Sequence, residues 1–133
     1  MLGEKMGSMT ATTTTKTMST DGLPKFETTG QGTGKLAGVE IQWMATYWAD
    51  MKADGSLYGE CPNAGVVMAA DGVATFRATG AGAMTSDGGS KFRGTVYFDT
   101  KASSLASLNG KAIAYEWDVA PDGSATWELW HCA

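Results

Sequence analysis

Val39, Ile41, Trp43, Ala45, Tyr47, Ala49 and Met51 alternate with Glu40, Gln42, Met44, Thr46, Trp48, Asp50 and Lys52. A period of two puts alternate side chains on opposite faces of a strand, so Val39–Lys52 reads as a strand whose apolar, aromatic face meets a core. The chain is punctuated by Asp54-Gly55, Asp71-Gly72, Asp87-Gly88-Gly89, Asn109-Gly110 and Pro121-Asp122-Gly123. These residues tolerate the positive φ angles of tight hairpins. They delimit further strands at 56–70, 73–86, 90–100, 111–120 and 124–132, with another at 25–31. Pro62 has no N–H to give a ladder, which predicts a break or bulge near Cys61-Pro62-Asn63. Residues 103–108 are the one stretch suited to a helical turn.

A slip of one residue moves every side chain of a strand to the other face, so the hydrophobic pattern selects hairpin registers. A three-residue loop at Pro121-Asp122-Gly123 sets Val119 against Ala125, Trp117 against Trp127, Tyr115 against Leu129 and Ile113 against His131, with all the apolar residues on one side. A three-residue loop at Asp87-Gly88-Gly89 groups Phe76, Ala78 and Met84 with Phe92, Val96 and Phe98, and sets Arg77 opposite Asp99. Across a two-residue Asp71-Gly72 turn Phe76 meets Val67. Across a two-residue Asp54-Gly55 turn Met51 meets Tyr58 and Ala49 meets Glu60, which brings Glu60 to the inner face. Glu116 and Glu128 fall opposite each other outside, a like-charge pair that is unfavourable unless a cation or hydrogen-bond network offsets it, and it reads as a solvated outer pair.

Composition agrees with short strands and tight turns: 18 of the 133 residues are glycine, and threonine, valine and aromatics are plentiful. The fold class is all-β, and closure removes the edges that an open sheet would expose. We therefore expect a closed antiparallel β-barrel of roughly seven or eight strands, largely a meander. Gly80 and Gly82 within one long strand suit coiling round a barrel. Residues 1–24, rich in threonine and methionine, read as a flexible N-terminal tail, leaving 25–133 as the barrel domain. A net charge of −4 with scattered lysines and arginines gives no stripe for nucleic acid. No stretch has the ~18 apolar residues of a membrane helix. Cys61 and Cys132 read as free thiols of a cytoplasmic protein.

Gly32-Thr33-Gly34-Lys35-Leu36-Ala37-Gly38, the long strand after it and Leu105-Ala106-Ser107-Leu108-Asn109-Gly110 resemble the glycine-patterned hairpins of barrels of the allene oxide cyclase and dirigent type, and of short bacterial proteins of lipocalin-like shape. Leu36 stands where those families would have an aromatic. The resemblance implies a barrel that holds hydrophobic small molecules.

No nucleophile elbow, phosphate loop or dinucleotide fingerprint is present, and a single histidine with two cysteines makes no zinc motif, so no cofactor or metal is expected. The inward set Trp43, Tyr47, Tyr58, Phe76, Phe98, Tyr115, Trp117 and Trp127 is the expected lining for a small apolar or aromatic molecule, since a barrel of this size either fills with side chains or holds one small ligand. The alternative is a cofactor-independent isomerase, cyclase or lyase. There Glu60, with its pKa raised by burial, moves a proton, joined by His131 if closure brings the two together. Trp48, Trp130, Met44, Val66 and Met68 fall outside, and so much external apolar surface points to a homo-oligomer.

Overall fold

The structure, a computed structural model, describes residues 2–132. Eight strands follow one another as β1 (Leu2–Ser19), β2 (Lys25–Leu36), β3 (Val39–Met51), β4 (Ser56–Ala69), β5 (Gly72–Met84), β6 (Ser90–Thr100), β7 (Ile113–Val119) and β8 (Ser124–Cys132). Each pairs antiparallel with the next, and β8 returns to β1, closing an all-β meander barrel. Among the described residues no helix is long and apolar enough to cross a membrane.

The expected N-terminal tail is instead the closing strand. β1 pairs on one side with β2, Met9 opposite Gly34, and on the other with β8, Met9 opposite Trp127 and Ala11 opposite Ala125. Its threonines look like linker composition, yet threonine favours extended backbone, and the free edges of β2 and β8 need a strand between them. Gly7, Met9 and Ala11 supply the inner face. A Cβ at Gly32 or Gly34 would collide with the carbonyls of Thr10 or Ser8, so β2 packs this closely on β1 only because glycine stands there.

Three of the four expected registers keep the right faces. The β7–β8 hairpin is as read, Val119 opposite Ala125 and Trp117 opposite Trp127. In β5–β6 the faces hold but the pairing is displaced by two residues: Phe76 meets Phe98 and the loop is Ser86-Asp87-Gly88, closed by Thr85 N–H to the Gly89 carbonyl at 2.9 Å. Arg77 therefore lies opposite Tyr97 rather than Asp99, and its guanidinium donates to Asn63 Oδ1 at 2.9 Å. The β4–β5 turn likewise sits one position early, at Ala70-Asp71, with Val67 opposite Ala74.

The β3–β4 hairpin differs in kind. Its loop has three residues, Ala53-Asp54-Gly55, closed by Lys52 N–H to the Ser56 carbonyl at 2.7 Å, so Met51 meets Leu57 and Trp48 meets Glu60. That shift of one residue turns Leu57, Gly59 and Cys61 inward and Tyr58 and Glu60 outward.

Inside, Trp43 packs against Trp127 with ring centroids 5.0 Å apart and against Trp117 at 5.6 Å, and Phe76 packs on Trp127 at 5.2 Å. Between β6 and β7 a 3₁₀ helix, Ser103–Leu108, plugs one end with fully buried Leu105 and Leu108, each worth roughly 1.5–3 kcal/mol in burial. The Asp71 carboxylate accepts from the Ser104 N–H at 2.9 Å and the Ser104 hydroxyl at 2.6 Å, fastening the plug to the rim. The β3–β4, β5–β6 and β7–β8 loops gather at the other, open end.

On the outer face the opposed Glu116 and Glu128 each have a cation, Arg93 at 3.7 Å and Lys5 at 3.2 Å. Trp48 and Trp130 are outside as expected, and each lies beneath a lysine ammonium, Lys25 at 4.5 Å and Lys5 at 5.5 Å.

Candidate functional site

The open end leads to a pocket of ≈ 370 Å³, between the inner faces of β1–β7 and the β5–β6 and β7–β8 loops. Its apolar wall is Phe26, Ala49, Leu57, Met84 and Val119. Thr13, Thr15 and Thr28 form a hydroxyl-bearing wall, and Tyr47 and Phe92 lie at its base. Below Tyr47 and Phe92, which also line it, lies an aromatic cavity of ≈ 60 Å³ bounded by Trp43, Phe76, Tyr115, Trp117 and Trp127. Tyr47 and Phe92 meet edge to face with centroids 5.9 Å apart, so the pair separates two compartments.

Hydrogen bonds fix this floor. Trp117 Nε1 donates to the Tyr47 hydroxyl at 3.0 Å, Thr28 bonds the same hydroxyl, and Thr28 shares a 2.8 Å bond with Thr15. Strand pairing explains the arrangement, since Thr28 of β2 is the direct neighbour of Tyr47 on β3. The chain of hydroxyls runs from the mouth to the cavity, and such networks hold their members in one geometry.

Among the described residues the ionisable groups turned into the barrel are uncharged near neutral pH, while at the pocket's rim the Asp122 carboxylate, held below its ordinary range by hydrogen bonds from Ser124, is charged. Burial pushes the Tyr47 phenol above its ordinary value, against the opposing bonds from Trp117 and Thr28. It pushes the Tyr115 phenol far above the usual range, with neighbouring Tyr47, Cys61 and Tyr58 adding to the effect. The Cys61 thiol is likewise raised by burial, partly offset by a backbone bond at Ala64. The interior can host neutral molecules and offers them hydroxyl, thiol and indole groups. It offers no base.

Of the expected lining residues, Trp43, Tyr47, Phe76, Tyr115, Trp117 and Trp127 come together around the cavity. Phe98 is buried in the core beside Phe76 and Trp127 instead. Tyr58 is outside, edge to face with Trp48 at 6.0 Å between ring centroids, and its hydroxyl donates to the Glu60 carboxylate at 2.8 Å. Glu60 borders the cavity wall, but its register position turns the carboxylate outward, so it is not a buried acid. His131 lies near the plugged end with Lys5, Met6, Ala37 and Lys111, and its Nδ1 has no partner among the described residues. Glu60 and His131 do not meet, and the proton-transfer pair expected of them is absent. Cys61 and Cys132 are free, the first buried and the second exposed. Among the described residues no three His, Cys, Asp or Glu side chains gather as a metal site.

The sequence reading missed the mouth residues of β1 and β2, Thr13, Thr15, Phe26 and Thr28. The available signal was the alternation Phe26, Thr28, Gly30 in register with Ala49, Tyr47, Ala45 across β2 and β3.

No family model and no curated protein matches the chain. Solved structures share its shape. A conserved protein of unknown function from Rhodopseudomonas palustris superposes with a TM-score of 0.79 at 12% identity over 98% of this chain and 97% of that one. A protein of unknown function from Clostridium acetobutylicum gives 0.77 at 11% identity over 98% of both chains. A "beta-barrel like protein" from Acinetobacter baumannii gives 0.75 at 10% identity, covering 96% of this chain and 93% of that one. At these identities the likeness establishes the small barrel fold alone.

Proposed function

We propose that the barrel binds a small, neutral, mainly apolar molecule at its open mouth, seated on Tyr47 and Phe92. The observation that carries this reading is a pocket of ≈ 370 Å³, within the ~300–1,000 Å³ of small-molecule sites, with an apolar wall facing a row of threonine hydroxyls. The apolar wall supplies affinity by desolvation, and the hydroxyls orient one polar group of the guest. Below the rim, where the Asp122 carboxylate stands, the groups turned inward are uncharged and favour a neutral guest, because an ion would lose hydration there without gaining a partner. The resemblance to allene oxide cyclase and dirigent barrels supports the same class of guest.

The test is titration with the neutral fluorescent probe N-phenyl-1-naphthylamine. The expected result is saturable fluorescence enhancement that Val119→Trp, which fills the rim, weakens by about tenfold or more, equivalent to about 1.4 kcal/mol. Glu60→Gln, on the outer face, should bind as the parent does. Absence of saturable binding, or indifference to Val119→Trp, overturns the reading.

A further inference from the structure

Closing a meander of tilted strands leaves a stagger, and here it is gathered at one seam. At the open end most neighbouring strands finish nearly level, Lys25 opposite Asp50, Met51 opposite Leu57, Ser56 opposite Ala83 and Ser90 opposite Val119. β8, however, begins at Ser124 opposite Thr12, while β1 runs on to Ser19. From Thr14 onward β1 is therefore paired with β2 alone. Its burial alternates from Gly7 to Thr13, and from Thr14 to Met18 every residue is exposed.

The Thr13 N–H donates to the Gly123 carbonyl at 2.8 Å, so the main chain of Thr13 faces the β8 side. Alternate residues of a strand turn their main-chain groups the same way, which leaves the N–H and C=O of Thr15 and Thr17 on that side with no strand to meet among the described residues. The 2.8 Å contact between the hydroxyls of Thr15 and its opposite number Thr28 agrees, since side chains come closest in pairs that exchange no main-chain bonds. At the plugged end the comparable overhang of β6 beyond Ile113 is covered. There Phe98 bridges to Asn109, whose side-chain amide accepts from the Thr100 N–H at 3.0 Å and donates to the Thr100 carbonyl at 2.9 Å. Among the described residues nothing does this for β1 beyond Thr13. Lysines often guard such edges, but Lys16 is drawn away from this one, to Glu27 on β2 at 3.2 Å.

The free edge is also a wall of the mouth, because Thr13 and Thr15 line the pocket. A strand added there continues the line of β8, and its alternate side chains point into the pocket. The apolar wall across the pocket fits an apolar side chain, not the threonines that β1 of a second copy would bring. We propose that the mouth takes an extended peptide, paired antiparallel on the free edge of β1 at Thr15 and Thr17, with an apolar side chain seated over Tyr47 and Phe92. This rests on the mouth as the binding site, and it names the bearer of the neutral apolar group. Main-chain bonds supply affinity in such strand addition, and the side-chain pocket supplies specificity.

The probe is the blocked pentapeptide acetyl-Thr-Thr-Leu-Thr-Thr-amide, added to the full chain with N-phenyl-1-naphthylamine bound and, separately, to ¹⁵N-threonine-labelled protein. It is expected to displace the dye, to shift the Thr15 and Thr17 amide signals saturably and to slow their hydrogen exchange. Methylation of the leucine nitrogen, or glycine in place of leucine, should weaken displacement about tenfold or more. Thr17→Pro removes a free N–H without touching the β1–β2 ladder, and should weaken the peptide about tenfold while leaving the dye unchanged. Dye binding that the peptide does not displace overturns this inference and leaves the mouth standing, whereas absence of dye binding overturns both. Equal displacement by the methylated peptide, or a parent-like response in folded Thr17→Pro, also overturns it. So do Thr15 and Thr17 signals that change with protein concentration alone, the mark of a second copy on the edge.

Discussion

Met9→Ala tests whether β1 belongs to the barrel. Met9 is 1% exposed and stands between Gly34 on β2 and Trp127 on β8. A Cβ built on Gly34 would meet Met9 Cγ at 2.5 Å, so the methionine itself fills the space above that glycine. Gly34 has no side chain to move into the hole that alanine would leave, and Trp127 is held by Trp43 and Phe76. The hole therefore persists, and truncation of a buried methionine costs ~2–5 kcal/mol, the more the less the site can collapse. We expect about 3 kcal/mol. In urea, with a slope of about 1–3 kcal/mol/M for a small protein, the unfolding midpoint read by tryptophan fluorescence should fall by about 1–3 M. Met18→Ala is the internal control, the same residue type in the same strand at 48% exposure, and should change stability by less than about 0.5 kcal/mol. If the two variants unfold at the same midpoint as the parent, β1 is a tail and the barrel is closed some other way.

Tyr47 and Tyr115 have raised folded-state pKa values, whereas an unfolded tyrosine ionises near pH ~10. The unfolded state then loses protons first, so stability is level below about pH 10 and falls as pH rises beyond it. Absorbance at 295 nm should show native phenols that ionise late, and four tyrosines ionising in one native step near pH ~10 would refute the burial argument. Outside the barrel, Met44 lies opposite Val66 and Met68 opposite Val73, a continuous apolar stripe across three strands with Met44 and Val73 largely exposed. We propose that it mediates self-association. Light scattering should give a mass above the 13.9 kDa of one chain, reduced by Val73→Lys, and a monomer at high concentration would defeat the proposal.

Legibility in the sequence followed the strength of the alternation. β3 could be read because every second residue from Val39 to Met51 is apolar, and β7 and β8 because Trp117 and Trp127 fall together in only one register. β1 could not, because most of its inner positions carry small or hydroxylic groups. Gly7, Ala11, Thr13 and Thr15 give no hydrophobic signal, and the strand is specified by the neighbours that need it. The hydroxyl wall of the mouth was hidden with it.

The register of β3–β4 was legible, but only by comparing loops. Asp54-Gly55-Ser56 and Asp122-Gly123-Ser124 are the same tripeptide in the same structure. In each, the serine N–H donates to the aspartate Oδ1 at 2.9 Å, and the serine hydroxyl to the same oxygen at 2.6 Å and 2.7 Å. The glycines take φ of +87° and +90°, as the third residue of a three-residue hairpin loop does. Gly88, third in Ser86-Asp87-Gly88, follows suit at +97°. A three-residue reading of Pro121-Asp122-Gly123 is thus inconsistent with a two-residue reading of Asp54-Gly55, and the shared Asp-Gly-Ser pattern decides for three. That single residue exchanges Glu60 for Cys61 on the inner face. It replaces a buried acid with an uncharged thiol, and so shifts the candidate chemistry of the barrel from proton transfer to the holding of neutral molecules.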